Sequence, residues 1–340
     1  MPATLKPLSE QTIVITGASS GIGLATARRA AKAGANVVLA SRNEDALAEA
    51  VHDIEAAGGS ATYCVADVSH YDYAEKVGAK ATKAFGGFDT WVNDAASSLY
   101  ARLENVTEEE HKQVFDTGYF GTVAGSLYAA KQLKARGGGA LINVGSVLSE
   151  RAVPIQGTYC AMKHAVLGFT EALRMELEEE NAGISVTLIK PNGINTPYPE
   201  HARNKMDRPA SIPPVVYDPE LVAKAICFAS ETPRRELLVG GQGFMLTKLG
   251  NLFPGTFDAV MERFFMEESQ QNERPPEEGT EDNLFDPRKD GRVRSNQDLN
   301  VRKSSLALEA QMHPLTTLAI GVGAAATAGL LAAVSRSGRK

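Results

Sequence analysis

The chain has 340 residues, with 35 basic against 41 acidic side chains and a formal charge of −6. At 43% hydrophobic and 22% charged residues it can fill a globular core, which excludes disorder over the whole chain. A mildly acidic total with no block of Lys and Arg excludes a nucleic-acid protein, because phosphate binding needs clustered cations. Cys64, Cys160 and Cys227 are widely spaced and form no CxxC pair, so a reducing, cytoplasmic setting is expected. The six histidines form no HxxxH or HExxH pair, and no metal site is expected. The apolar run 11–16 is too short for a signal peptide.

From residue 11 to about 240, short β-rich runs alternate with longer Ala- and Glu-rich stretches. The predicted strands are 13–15, 37–39, 62–65, 91–92, 141–144, 186–189 and 237–239. Between them, 25–33, 45–57 and 165–180 carry apolar residues at helical spacing. Near-continuous apolar strands in such alternation predict an α/β fold, a buried parallel sheet with helices on both faces.

The first strand runs into Gly17, Ala18, Ser19, Ser20, Gly21, Ile22 and Gly23, and a helix follows. Glycines there permit a tight turn and let the backbone approach a pyrophosphate, whose charge a helix N-terminus stabilises. A plain strand–helix connection is the alternative. The position between the first strand and the first helix favours the phosphate loop. At the end of the second strand, where a dinucleotide site meets the adenosine ribose, stand Ser41 and Arg42 without a carboxylate. A hydroxyl and a guanidinium suit a 2′-phosphate, which an Asp would repel, so NADP(H) is expected over NAD(H). Arg42 as a solvated loop charge is the other reading.

Tyr159 and Lys163 open a long helix four residues apart and therefore share one face. An ammonium beside a phenol favours phenolate, lowers the Tyr pKa and makes it a usable acid or base. Ser146 stands at the end of the strand 141–144, where open α/β sheets place their ligands. Its hydroxyl can hydrogen-bond a substrate oxygen as charge changes on it.

Thr16 to Gly23, Asp67 and Val68, Asn93 to Ala96, Ser146, Tyr159 and Lys163, at these intervals, resemble the short-chain dehydrogenase/reductase family over residues 8 to 245. The resemblance implies one doubly wound Rossmann-like domain (8–250) that binds NAD(P) and moves a hydride between nicotinamide and a carbonyl or alcohol. It implies Tyr159 as the acid/base, Lys163 as the group that lowers its pKa and holds the nicotinamide ribose, and Ser146 as the holder of the substrate oxygen. It places Asp67 and Val68 at the adenine, Asn93 and Ala95 along the cofactor, and Pro191 and Thr196 near the nicotinamide, whose amide Thr196 would contact. It also implies a homo-oligomer built through helix pairs.

Two positions depart from the family pattern. Gly118 stands where an Asn is usual, a side chain that would bend its helix around a proton-relaying water. Slower chemistry is expected from its loss. Asn192 replaces a Gly after Pro191, and Asn is the next most tolerant residue of unusual backbone angles. The rival reading, an NADP-binding sensor or scaffold, draws on these departures and on the tail. The intact Ser146, Tyr159 and Lys163 favour the enzyme.

The loops 97–104, 153–156 and 197–216 are expected to border the small-molecule pocket, with His201 a solvated loop residue in preference to a substrate contact and Cys160 a small packing residue. Residues 251–266 read as an amphipathic helix that packs on the domain or touches lipid. Residues 267–312 read as a charged, disordered linker, since 267–286 carries eight acids against Arg274. Residues 315–334 run twenty positions without a charge, close to the roughly 20 needed to cross a bilayer core, and make a candidate membrane anchor. An Ala-rich helix docked on protein is the alternative. A membrane-attached tail would favour a lipophilic carbonyl or alcohol.

Overall fold

The structure, a computed structural model, describes residues 3–274, 281–288, 291–314 and 317. Seven strands form the central sheet: β1 (Thr12–Thr16), β2 (Asn36–Ser41), β3 (Ser60–Val65), β4 (Thr90–Asn93), β5 (Gly139–Val144), β6 (Ile184–Pro191) and β7 (Glu236–Val239). Their order is β7-β6-β5-β4-β1-β2-β3 and every pairing is parallel. Each predicted strand is one of these seven. The fold is therefore α/β with a doubly wound parallel sheet.

Side chains alternate across the strands, so the two faces draw on different residues. Ile13, Ile15, Val37 and Leu39 pack under α1 (Gly21–Lys32), α2 (Glu44–Ala56) and α7 (Pro219–Glu231). Val14, Val38 and Ala40 pack under α3 (Tyr73–Phe85), α5 (Gly121–Ala135) and α6 (Gly157–Glu179). Between α4 (Glu108–Phe115) and α5 the chain makes one π-helical turn, Asp116–Phe120. The strand order reverses between β1 and β4, and a cleft opens at their carboxyl ends. Thr16 Oγ1 ties that point together, accepting from the Asp94 and Ala95 amides at 3.1 and 3.2 Å.

After β7 come α8 (Gly241–Leu252) and α9 (Pro254–Phe264). Phe257 and Met261 of α9 are buried, while Phe253 just before it and Phe264 are exposed. The expectation of a disordered linker over 267–312 is corrected by its described residues. Gln270 and Leu284 are fully buried. The short strand Val301–Arg302 pairs with Val216–Tyr217, which pairs with Gly193–Ile194. Helix α10 (Leu306–Met312) is capped by the Ser305 side chain and buries Leu308 and Met312.

Charge patterning misleads here because the charges meet opposite charges on the domain. Arg294 forks onto the Asp218 carboxylate at 3.0 Å on both arms, and Asp282 receives Arg203 at 2.8 Å. The candidate anchor 315–334 lies outside the described residues except for Thr317. Among the described residues no helix is long and apolar enough to cross a membrane.

Candidate active site

A cavity of about 660 Å³ occupies the cleft. Gly17, Ser19, Ser20, Gly21 and Ile22 form one wall. Gly17 has φ +70°, and a Cβ there would lie 2.9 Å from the Ala95 backbone. Gly23 stands behind the wall, where a Cβ would come 2.4 Å from the Gly17 carbonyl oxygen. It lets α1 close up on the loop and does not itself line the cavity.

At one end lie Ser41, Arg42, Asn43, Asp67 and Val68. Asp67 also accepts from the Ser69 amide and hydroxyl at 2.9 and 2.8 Å, which fixes its carboxylate. Ala95, Pro191 and Thr196 also line the cavity. Asn93 does not. Its side chain turns into the protein, accepting from Trp91 Nε1 at 2.8 Å and donating to Asn143 Oδ1 at 2.8 Å and Ser126 Oγ at 3.0 Å. It braces β4 against β5, because a buried amide must find its partners locally. Asn192 is likewise ordinary: it is not among the residues with positive φ, and its N–H donates to the Val239 carbonyl at 2.9 Å.

At the other end Ser146, Tyr159 and Lys163 line the cavity together. Ser146 leaves β5 as the cap of a short 3₁₀ turn, its Oγ accepting from the Leu148 amide at 3.0 Å. Lys163 is buried, donates to the Val144 carbonyl at 2.7 Å and holds its Nζ 5.7 Å from the centre of the Tyr159 ring. The electrostatics differ from the expected lowering of the phenol. Burial holds Tyr159 well above the usual phenol range, the Ser146 hydrogen bond pulls it down, and Cys160 and Asp94 push it up. Burial also lowers Lys163, with Asp94 pulling it back up. Asp94 itself is raised by burial, offset by Lys163 and by a hydrogen bond from the Gly23 amide.

Gly118 sits in the π-helical turn, so the distortion persists without the Asn side chain. The space is taken: a Cβ on Gly118 would meet the Met162 Sδ and Cε at 2.6 Å. Cys160 is buried and its thiol pushed up to about 11, in keeping with a packing role.

The short chain dehydrogenase family model matches residues 11–207. The chain belongs to this family. An uncharacterized oxidoreductase, YxnA, of Bacillus subtilis (strain 168) is 44% identical over 95% of this chain and 91% of its own length, so the likeness runs well beyond the family model. A 3beta-hydroxysteroid dehydrogenase of Mediterraneibacter gnavus is 35% identical over 57% of this chain and 69% of its own. A 2,5-dichloro-2,5-cyclohexadiene-1,4-diol dehydrogenase of Sphingobium indicum is 34% identical over 62% of this chain and 82% of its own. The protein is thus a short-chain oxidoreductase acting on CH–OH groups, in a family that uses NAD(P).

The cavity of this short-chain dehydrogenase fits such a cofactor. Among the described residues, Ser97 Oγ and Asn283 Oδ1 are buried side-chain atoms without a hydrogen-bond partner, and both residues line it. Asp67 and Ser41 past β3 and β2, the glycine loop past β1, and Ser146 past β5 follow one another along its length.

The loops 153–156 and 197–216 line the cavity through Gln156, Tyr198 and His201, whereas the tail residues in the wall had no signal in the sequence. Tyr198 packs edge-on to Tyr159, centroids 5.4 Å apart, and bonds to Ser98 and Gln156 at 2.7 and 2.9 Å. Gln156 in turn donates to Gln270 at 2.8 Å. His201, expected in solvent, lines the cavity, as do Gln270, Asn283 and Arg288 from the tail. No local motif marks Gln270, Asn283 and Arg288, because only the tail's path over the domain brings them in.

Proposed function

We propose that this dehydrogenase transfers a hydride between NADP(H) and a lipophilic carbonyl or alcohol, with Tyr159, Ser146 and Lys163 as its reacting groups. The observation that carries this reading is that these three side chains share one cavity with the glycine loop. The cofactor, when bound, gives or takes the hydride. Tyr159, kept protonated by burial, is set to give its proton to the substrate oxygen, which suits carbonyl reduction. The Ser146 hydroxyl holds that oxygen as its negative charge grows. Lys163, fixed on the Val144 carbonyl, keeps a positive charge beside the phenol and steadies the phenolate left behind.

Preference for NADP(H) rests on Ser41 and Arg42 at the adenosine end, where β2 closes without a carboxylate. A lipophilic substrate is supported by Val147, Leu148, Val153, Ile212, Val215 and Phe265 in the cavity wall. The steroid named for the relative from Mediterraneibacter gnavus points the same way. Exposed Leu127 and Met175 on α5 and α6 support a homo-oligomer. Membrane association of a cytoplasmic enzyme rests on the uncharged length of 315–334 alone.

The test is kcat/KM with NADPH and NADH over a panel of carbonyls graded in polarity. NADPH should be preferred by about tenfold or more, as one charge-assisted contact implies, and turnover should rise with apolar bulk. A preference for NADH, or activity that rises with polarity, contradicts the reading.

A further inference from the structure

The described tail crosses the open side of the cavity as a strap. On the adenosine side, Arg42 Nη1 and Nη2 donate to the Phe285 and Asn283 carbonyls at 2.7 and 2.5 Å. Asn43 Nδ2 donates to the Arg288 carbonyl at 2.6 Å, and the Gly21 amide to the Arg292 carbonyl at 2.9 Å. On the far side, the Asn283 amide donates to the His201 carbonyl at 2.8 Å. The Glu200 carboxylate accepts from Arg292 Nη2 at 2.6 Å and from the Asn296 amide at 2.9 Å.

Arg288 bridges these two sides. Its carbonyl rests on Asn43, while its Nη1 reaches the Glu200 carbonyl at 2.5 Å. The side chain therefore runs between the adenosine end and the short helix Tyr198–His201, along the cavity wall.

The charge balance beneath it is uneven. Gly17 to Gly23 include no Lys or Arg, so a pyrophosphate there would meet backbone N–H groups, Ser19, Ser20 and a helix N-terminus, with no cation from the loop itself. Asp94, hydrogen-bonded by the Gly23 amide and raised by burial, brings no positive charge there either. A guanidinium is the group that answers such a site, because its planar fork matches phosphate oxygens. Asn283 Oδ1, buried without a partner on the same strap, is a second polar group aimed at a ligand.

We propose that Arg288, carried on the C-terminal strap, is the cation that pairs with the pyrophosphate of the bound dinucleotide. The proposal rests on the nicotinamide-dinucleotide reading and adds a residue to it from outside the family match at 11–207. The strap is then part of the cofactor site and holds the dinucleotide from above.

The test is the Kd of NADPH, NADH and ADP-ribose for the wild type, Arg288→Gln and Arg288→Lys, with the melting temperature of each ligand-free protein. Arg288→Gln should weaken all three ligands by about tenfold or more. Arg288→Lys should recover part of the loss, and the ligand-free melting temperatures of the two variants should agree with each other, so that a loosened strap does not account for the difference between them. Weakening of NADPH alone would assign Arg288 to the 2′-phosphate and overturn the proposal. Unchanged binding would overturn it too, and tighter binding would mark the strap as a competitor of the cofactor. A wild type that binds none of the three would sink the cofactor reading itself, and the proposal with it.

Discussion

Tyr159 and Lys163 were legible as a pair because four residues is one helical turn, and Ser146 because it ends a strand. Their electrostatics were not legible. Burial raises the phenol and lowers the ammonium, and Asp94, which the sequence showed only as part of a motif, acts on both. The negative charge of Asp94 raises Lys163 and Tyr159 alike. As pH rises through the pKa of Lys163, its ammonium is lost and carbonyl reduction falls. Asp94→Asn removes the charge that opposes this loss while keeping an oxygen for the Gly23 amide. The alkaline limb of kcat against pH should therefore move to lower pH in Asp94→Asn. A limb that stays in place, or moves up, would show that Asp94 does not govern the pair.

The seven strands announced themselves through apolar runs, since a strand buried on both faces has no polar side to hide it. Gly17 and Gly23 were equally legible, because loop and helix approach too closely for a Cβ. Asn93 was not, since a polar residue at a strand end reads as a cleft residue whether it faces the ligand or the neighbouring strand. The π-helical turn at Asp116–Phe120 was hidden as well. Its sequence suggested a missing amide, whereas Met162 occupies the space that side chain would need. Gly118→Asn should thus cost about 1–3 kcal/mol by overpacking. Met162→Ala should cost about 2–5 kcal/mol by itself. In urea denaturation the double variant should lose less than the sum of the two. Additive losses would mean that the two positions do not share the space.

Across the whole molecule, the part least legible in sequence is the tail. Acidic runs and Pro275-Pro276 suggest a solvated linker, yet its pairing with Arg203, Asp218 and Glu200 depends on residues 76 or more positions away. No local rule captures such pairing. Leu308 and Met312, far beyond the family match, nonetheless complete the core on one face of the sheet. The sheet, helices and strap surround the cleft in which the proposed mechanism has Tyr159 transfer a proton. The most direct measurement is NADPH consumption on a carbonyl substrate by the wild type and by Tyr159→Phe, with the NADPH Kd of each. Loss of about a hundredfold or more in kcat with Kd unchanged is the predicted result. Equal turnover by Tyr159→Phe would contradict the account.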